Sequence, residues 1–499
     1  MKKLIALLLI LALATTLLSG CGTSVKKDDL KDEVHLIWYT LGTTPEDNAL
    51  VTEEVNKYLK GKINATIEFR YIEWGDYDPK IKTITTAGEP FDFMFTSTWI
   101  NDFTQNVAAG KLLPLNDLID QYGKEMKAAI DPVYLEYTRI NGINYAIPTN
   151  KEQGTIMNYA LNKNIASKYN IDITKILKTE DWEPVFAKIK PDHIYGFSID
   201  KNNGFVMPEY DFIIDSKYPG AVRMDDPTCK VINQFESPEF INELKTYRRF
   251  YQKGYIRPDA FTIDWATAIN DFSTGKSAVM FAEDIHTAIE LLPNNVDWLE
   301  KQRKAPLELQ PCFPKPIINT RSLSVSMIGI SATSQHPERA MMFLNLLNSD
   351  KYLRNLVGFG IENVHYKKID ADTIDLLPRS TKYTTNQGAF GNCLILYGTL
   401  DSKTGKKTYE GDYSIKVKAV NANSIKSPLL GFYFNPTPVK TEIAAIVNNA
   451  HEFTSPLYTG AIDPEEGIKN YMAKARDAGM DKVLAEMQKQ IDEWKKTRK

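Results

Sequence analysis

VHLIWY (Val34–Tyr39) and FDFMF (Phe91–Phe95) decide the fold of this chain. Each is a short, nearly continuous apolar run, the pattern of a strand buried on both faces. Between them Ile63, Ala65, Ile67, Phe69 and Tyr71 alternate with mostly polar residues and predict a further strand. Thr44-Pro45-Glu46-Asp47 reads as a helix start, with an N-cap, Pro at the first helical position and acids in the first turn. Val51, Val55, Tyr58 and Leu59 share one face of that helix, Lys57 and Lys60 close it, and Gly61 ends it. Asp78-Pro79 caps a second helix that carries Ile81 and Ile84 to Gly88. The sum is βαβαβ, which predicts an α/β fold with a parallel sheet and helices on its faces.

The later chain repeats this style. Ser237-Pro238-Glu239 opens a helix with Phe240, Leu244, Tyr247 and Tyr251 on one face, ending at Gly254. Ser322–Ile330 reads as a strand, and Pro337 starts a helix through Ala340, Phe343, Leu344 and Leu347. From Pro464 to Trp494 the pattern is charged and helical, with Met480, Val483, Leu484, Met487 and Ile491 periodic. Residues 395–430 lack periodicity and read as loops with short strands.

Upstream of the first strand, Lys2 and Lys3 precede an uncharged apolar run from Leu4 to Leu18, followed by Ser19-Gly20-Cys21. A cationic start, a short apolar stretch and small residues at the cut describe a secretory signal peptide; a membrane span needs roughly 20 apolar residues. Leu18-Ser19-Gly20-Cys21 resembles a bacterial lipobox, so residues 1–20 are expected to be removed and Cys21 lipidated. Residues 21–32 then serve as a polar tether. Loss of Lys2 and Lys3 takes the formal charge from −3 to −5. That acidic balance argues against nucleic acid, whose phosphates need a basic face. No second long apolar run follows. With Cys21 acylated, Cys229, Cys312 and Cys393 can form at most one disulfide. The six His are scattered and His451-Glu452 lacks the second His of HExxH, so no zinc site is expected and no cofactor is implied.

Several stretches taken together carry a resemblance. They are the lipobox, the HLIWYT strand, Gly88–Phe95 (GEPFDFMF), Ala109–Leu115 (AGKLLPL), Asn141–Pro148 (NGINYAIP), Phe272–Met280 (FSTGKSAVM) and His336–Ala340 (HPERA). The chain is similar to extracellular solute-binding proteins of ABC importers, in the carbohydrate-binding group that includes maltose-binding protein. Gly431–Pro436 (GFYFNP) through Trp494 is similar to a C-terminal domain of a Gram-positive lipoprotein subgroup. The resemblance implies a two-lobed type II fold with discontinuous lobes, a hinge and ligand in the cleft between them, beyond the strand C-termini. By that analogy residues 33–147 plus 312–348 form the N-lobe and 148–311 plus 349–424 the C-lobe. Residues 425–499 form a helical extension on the C-lobe, and the chain crosses near Ala146–Asn150, Pro306–Phe313 and Leu347–Lys351. It also implies a monomeric receptor, lipid-anchored outside the cell, that hands its ligand to the transmembrane subunits of an ABC permease.

A sugar presents hydroxyls at its rim and C–H on its faces, so it calls for aromatic platforms beside Asp, Glu, Asn and Arg. Trp38 and Tyr39 end the predicted first strand, where a binding loop should begin, although a buried strand also explains a Trp. Ser97, Thr98 and Trp99 follow FDFMF, where the resembling family supplies a polar–aromatic loop. Asn150 and Glu152 follow Ile147-Pro148, where maltose-binding protein crosses between lobes and offers a carboxylate. Glu283 and Asp284 follow the AVMF strand, where this family often presents an aromatic instead, and two acids there equally suit a cationic or peptide ligand. Trp265 and Tyr433 complete the candidates, with plain packing the competing fate of each. Adjacent acids on a strand point to opposite faces, whereas glycoside hydrolysis needs two carboxyls about 5–9.5 Å apart across one bond. No nucleophile motif or phosphate-cradling Gly loop appears, so a binding protein is expected rather than an enzyme. A ligand-sensing partner of a membrane kinase is the alternative role.

Overall fold

Strand β1 (Val34–Leu41) runs two residues beyond the apolar stretch that predicts it. It lies between β2 (Ala65–Ile72) and β3 (Phe93–Thr96) in a five-stranded sheet completed by β12 (Met327–Ile330) and β4 (Ala146–Pro148), in the order β2-β1-β3-β12-β4. Strands β1, β2 and β3 are parallel, with Val34 opposite Ala65 and Trp38 opposite Phe93. Strand β12 is antiparallel to both β3 and β4. The computed structural model describes residues 30–202, 207–283, 300, 303–313, 315–400 and 413–497. The leader, Cys21 and the tether as far as Asp29 lie outside the described residues, as does Asp284.

A second sheet of four strands, in the order β10-β5-β9-β6, forms the other lobe: β5 (Met157–Asn162), β6 (Tyr195–Phe197), β9 (Ser277–Glu283) and β10 (Leu307–Pro311). Strands β10 and β9 flank β5 antiparallel, and β6 lies parallel to β9. The hairpin of β7 (Tyr210–Phe212) and β8 (Ala221–Arg223) belongs to this lobe, with Tyr210 and Ala221 in its core.

Among the described residues, three segments cross between the lobes. The first is 149–156, between β4 and β5. The second is 312–316, between β10 and β11 (Ile317–Ile318). The third is Ile425–Lys426 and the residues after it. Thr155 and Ile317 exchange backbone hydrogen bonds at 2.8 Å in both directions, and Ile425–Lys426 pairs parallel with β11. The crossings are therefore hydrogen-bonded into one narrow ribbon. Asn421 clamps the first of them: its Oδ1 accepts from the Gln153 and Gly154 N–H groups at 3.0 and 3.3 Å, and its Nδ2 donates to the Tyr134 hydroxyl.

The crossing expected near Leu347–Lys351 is absent, because 347–351 joins two helices, Pro337–Ser349 and Lys351–Phe359, that pack into the first lobe. Leu353, Leu356, Val357, Tyr383 and Phe390 share the first-lobe core, so residues assigned from sequence to the C-lobe build the N-lobe. The cause is amphipathic: the helix 351–359 buries Leu353, Leu356 and Val357, and Asp350 caps it by accepting from the Leu353 N–H at 3.0 Å. Residues 440–497 form three helices whose Ile446, Leu457, Tyr471, Val483 and Met487 share a core with Phe235, Phe240 and Leu244 of the second lobe. The stretch expected to be loops holds the helix Tyr413–Asn423. The long C-terminal pattern breaks into two helices at Gly479, whose φ of +93° suits glycine. The predicted strand Ser322–Ile330 is shorter, since Thr320–Leu323 turns as a helix capped by Asn319.

Candidate functional site

Strand direction alone locates the cleft. The chain leaves the first sheet at the C-terminus of β4, the edge at which β1, β2 and β3 also end. It enters the second sheet at the start of β5, the edge at which β6, β9 and β10 end. The loops after these strands line the gap between the lobes, where ligands of open α/β sheets bind.

On the first lobe, the loop after β3 is a tight, fully bonded turn. The Ser97 hydroxyl donates to the Ile100 carbonyl at 2.9 Å and accepts from the Trp99 and Ile100 N–H groups at 3.2 and 3.0 Å. The Thr98 N–H donates to the Ser324 carbonyl at 3.1 Å. Asn101 adopts the left-handed region, its N–H on Asp78 Oδ1 at 2.5 Å and its side-chain amide on the Phe95 carbonyl at 2.7 Å. Asp78, expected to cap a helix, holds this loop instead. The turn pushes Trp99 outward, 51 % exposed, with its indole N–H on the Val325 carbonyl at 2.7 Å. Trp74, from the loop after β2, stacks on it with ring centroids 5.8 Å apart and planes at 21°, and is itself 46 % exposed. Two exposed indoles held face to face are costly to leave in water, and they offer a flat surface to a ligand with C–H faces.

The loop after β1 is held electrostatically. Asp47 accepts from Arg379 Nε and Nη2 at 2.6 and 3.0 Å and contacts His365 Nε2 at 3.1 Å. The Arg379 guanidinium, helped by His365, holds the Asp47 carboxyl down at about 2. His365 Nδ1 accepts from the Ile361 N–H at 2.9 Å, which leaves Nε2 to carry the proton toward Asp47. Asp47, read from sequence as a first-turn acid, thus pins the cleft loop to the segment 361–379.

Across the gap, β6 ends at Phe197, and the Lys201 N–H bonds to the Ile263 carbonyl at 3.2 Å, setting the helix Trp265–Ser273 beside that edge. Trp265, 37 % exposed, begins this helix, and the Arg303 guanidinium covers its ring at 4.6 Å from the centroid. Glu283 closes β9 opposite Met157, at the cleft edge. Glu152 lies on the first crossing, half-buried.

Several candidates are structural. Trp38 is fully buried in mid-strand, its ring 5.0 Å from Phe390 and 5.6 Å from Phe93, because β1 continues to Leu41. Tyr39 is buried too, edge-on to Phe91, with its hydroxyl accepting from Arg70 Nη1 at 3.0 Å. Asn150 is buried, its amide donating to the Ala129 carbonyl at 3.1 Å. Tyr433 packs edge-on to Phe103, its hydroxyl 2.6 Å from that of Ser324, and burial pushes its phenol up. Trp74 is the residue sequence reasoning missed; the signal available was a Trp just after a predicted strand, beside Gly75-Asp76. Among the described residues, Cys229, Cys312 and Cys393 form no disulfide with one another. Among the described residues no group of three or more His, Cys, Asp or Glu is placed to hold a metal ion. Among the same residues, no helix is long and apolar enough to cross a membrane.

Comparisons with known proteins follow this geometry. The family model described as bacterial extracellular solute-binding protein matches residues 42–353, and a domain of unknown function matches residues 428–496. A carbohydrate ABC transporter substrate-binding protein of Streptococcus pneumoniae is 31 % identical over 487 residues, spanning 96 % of this chain and 94 % of that protein. The crystal structure of the N-glycan transport solute binding protein of Streptococcus pneumoniae is 29 % identical, covering 94 % of this chain and 100 % of that one, with a TM-score of 0.81. Its complex with Man1GlcNAc matches at 0.72 with 28 % identity, covering 93 % of this chain and 100 % of that one.

Proposed function

The chain belongs to the bacterial extracellular solute-binding proteins, and from that premise we propose that it captures an oligosaccharide between its lobes and delivers it to an ABC-type permease. The observation that carries the carbohydrate reading is the exposed, stacked Trp74–Trp99 pair on the cleft edge of the first lobe, with Trp265 on the cleft edge of the second. The similarity of nearly the whole chain to a protein solved with mannose-containing glycans supports the same ligand class. Glycan rings stack on the indoles, and acids on the opposing edge (Glu283) and on the first crossing (Glu152) take hydroxyls. Binding draws the lobes together about the ribbon of crossings, since contacts from both edges exist only when the gap is closed. The role is capture and release, with no bond made or broken. The proposal extends to a monomer anchored outside the cell through lipid on Cys21, with the tether leading to Leu30.

Thermal melts of residues 22–499 with a panel that includes Man1GlcNAc, Man5GlcNAc and maltoheptaose test the reading. A bound glycan at 100 times its Kd adds about 2.7 kcal/mol, visible as a raised Tm. Trp74→Ala or Trp99→Ala is expected to weaken that binding tenfold or more while leaving the ligand-free melt nearly unchanged. A panel that moves neither the Tm nor the tryptophan emission defeats the carbohydrate reading.

A further inference from the structure

A cavity of about 300 Å³ lies between the β7 hairpin of the second lobe and the crossings, lined by none of the stacked indoles. That is the lower end of the roughly 300–1,000 Å³ typical of small-molecule pockets, room for one sugar ring rather than a branched glycan. Met157, Met207, Phe212 and Phe313 supply apolar walls. Three polar side chains at its rim each keep bonding capacity in reserve. Asn319 spends its oxygen on the Ser322 N–H at 2.9 Å and hydroxyl at 3.0 Å, which leaves its amide NH2 to give. Asp215 uses Oδ1 on the Lys217 N–H at 3.0 Å, leaving Oδ2 to accept. Arg321 places Nη1 on the Ile214 carbonyl at 2.7 Å, leaving the rest of its guanidinium fork.

The placement of these groups is as informative as their identity. Asn319 and Arg321 stand where the second crossing enters the first lobe, whereas Asp215 belongs to the second lobe. The Arg321–Ile214 bond already ties the two together. A cation here would face Arg321, and an anion would face Asp215 and the buried Asp211. Charge of both signs, one Arg against two Asp, with spare donors on one wall and a spare acceptor on the other suits a neutral, polyhydroxylated ring with one apolar face.

We propose that this cavity is a subsite for one neutral pyranose unit, stacked on Phe313 or Phe212 and hydrogen-bonded by Asn319 and Arg321 from one lobe and Asp215 from the other. The inference rests on the carbohydrate reading above and adds the unit that both lobes grip. Its occupant contacts the hinge, whereas rings on Trp74 and Trp99 touch the first lobe. Binding there is what couples recognition to closure.

Calorimetric titration of Man5GlcNAc into wild type, Asp215→Asn, Met207→Trp and Trp74→Ala tests it. Asp215→Asn keeps the turn-forming oxygen, and Met207→Trp fills the cavity from an apolar wall. Each is expected to weaken binding at least tenfold with an unchanged ligand-free Tm. If both bind as wild type does while Trp74→Ala does not, the subsite is overturned and the carbohydrate reading stands. If wild type binds no member of the carbohydrate panel, the reading falls and takes the subsite with it. If either cavity variant melts early, Arg321→Met replaces it, judged by the same tenfold criterion.

Discussion

Asp211 shows how much one buried side chain can govern. It lies in the β7 hairpin with Ser427 Oγ donating to its Oδ2 at 2.5 Å, and burial pushes its carboxyl up to about 6. A carboxylate whose pKa is higher in the folded than in the unfolded chain favours folding while protonated. Its contribution is complete below pH of about 4 and is lost as pH rises through 6. A shift of about two units corresponds to at most roughly 3 kcal/mol. Asp211→Asn keeps an oxygen for Ser427 and removes the charge. The ligand-free variant is therefore expected to melt higher than wild type at pH 7, with the difference closing toward pH 4. Equal melts across that range would show that Asp211 is not destabilising in its charged form. At this scale the sequence is least legible. Trp38 and Trp99 have the same residue type beside equally apolar strands, yet one fills a core and the other faces the cleft. Only the extra two residues of β1 and the Ser97 turn separate them, and both depend on neighbours far along the chain.

Elements were more legible than residues, in proportion to how local their causes are. Strands β1 and β3 follow from their apolar runs, and the helix Pro238–Gln252 from its cap and its stripe. The helix Asn48–Ile63 passes the predicted stop at Gly61 because Ile63 is buried, and it ends at Asn64 with φ of +47°. The third crossing could not be read, since Ile425–Lys426 becomes a strand only by pairing with β11. Helix docking offers a sharp test. Gly460 follows the helix Lys440–Tyr458 with φ of +77°, and a Cβ there would run into the Tyr247 carbonyl. Backbone cannot yield as a side chain would. Gly460→Ala is expected to cost about 2–4 kcal/mol through left-handed strain and the clash. Calorimetry that finds a loss under about 1 kcal/mol would show that the two helices are not locked at this contact.

At the scale of the molecule, the C-terminal helices are part of the second lobe's interior. Phe240 and Leu244 are fully buried in a core that Leu457, Tyr471 and Met487 complete. A chain ending at 434 would expose that face, an apolar area far larger than a soluble surface tolerates. Such a truncation is expected to aggregate on expression, and a soluble, glycan-binding product would show that the second lobe closes its own core. The N-terminal side is secured to the opposite lobe. Arg339, fully buried, donates Nη1 to the carbonyls of Ile63 and Asn64 at 2.7 Å and of Asp32 at 3.2 Å, riveting the segment before β1 to the helix Asn48–Ile63. If Cys21 carries the lipid proposed above, the leash joins the receptor by one jaw only. The first lobe, with its stacked indoles, would then keep station at the membrane, and the second lobe, weighted by its extra helices, would be the one to swing on the ribbon.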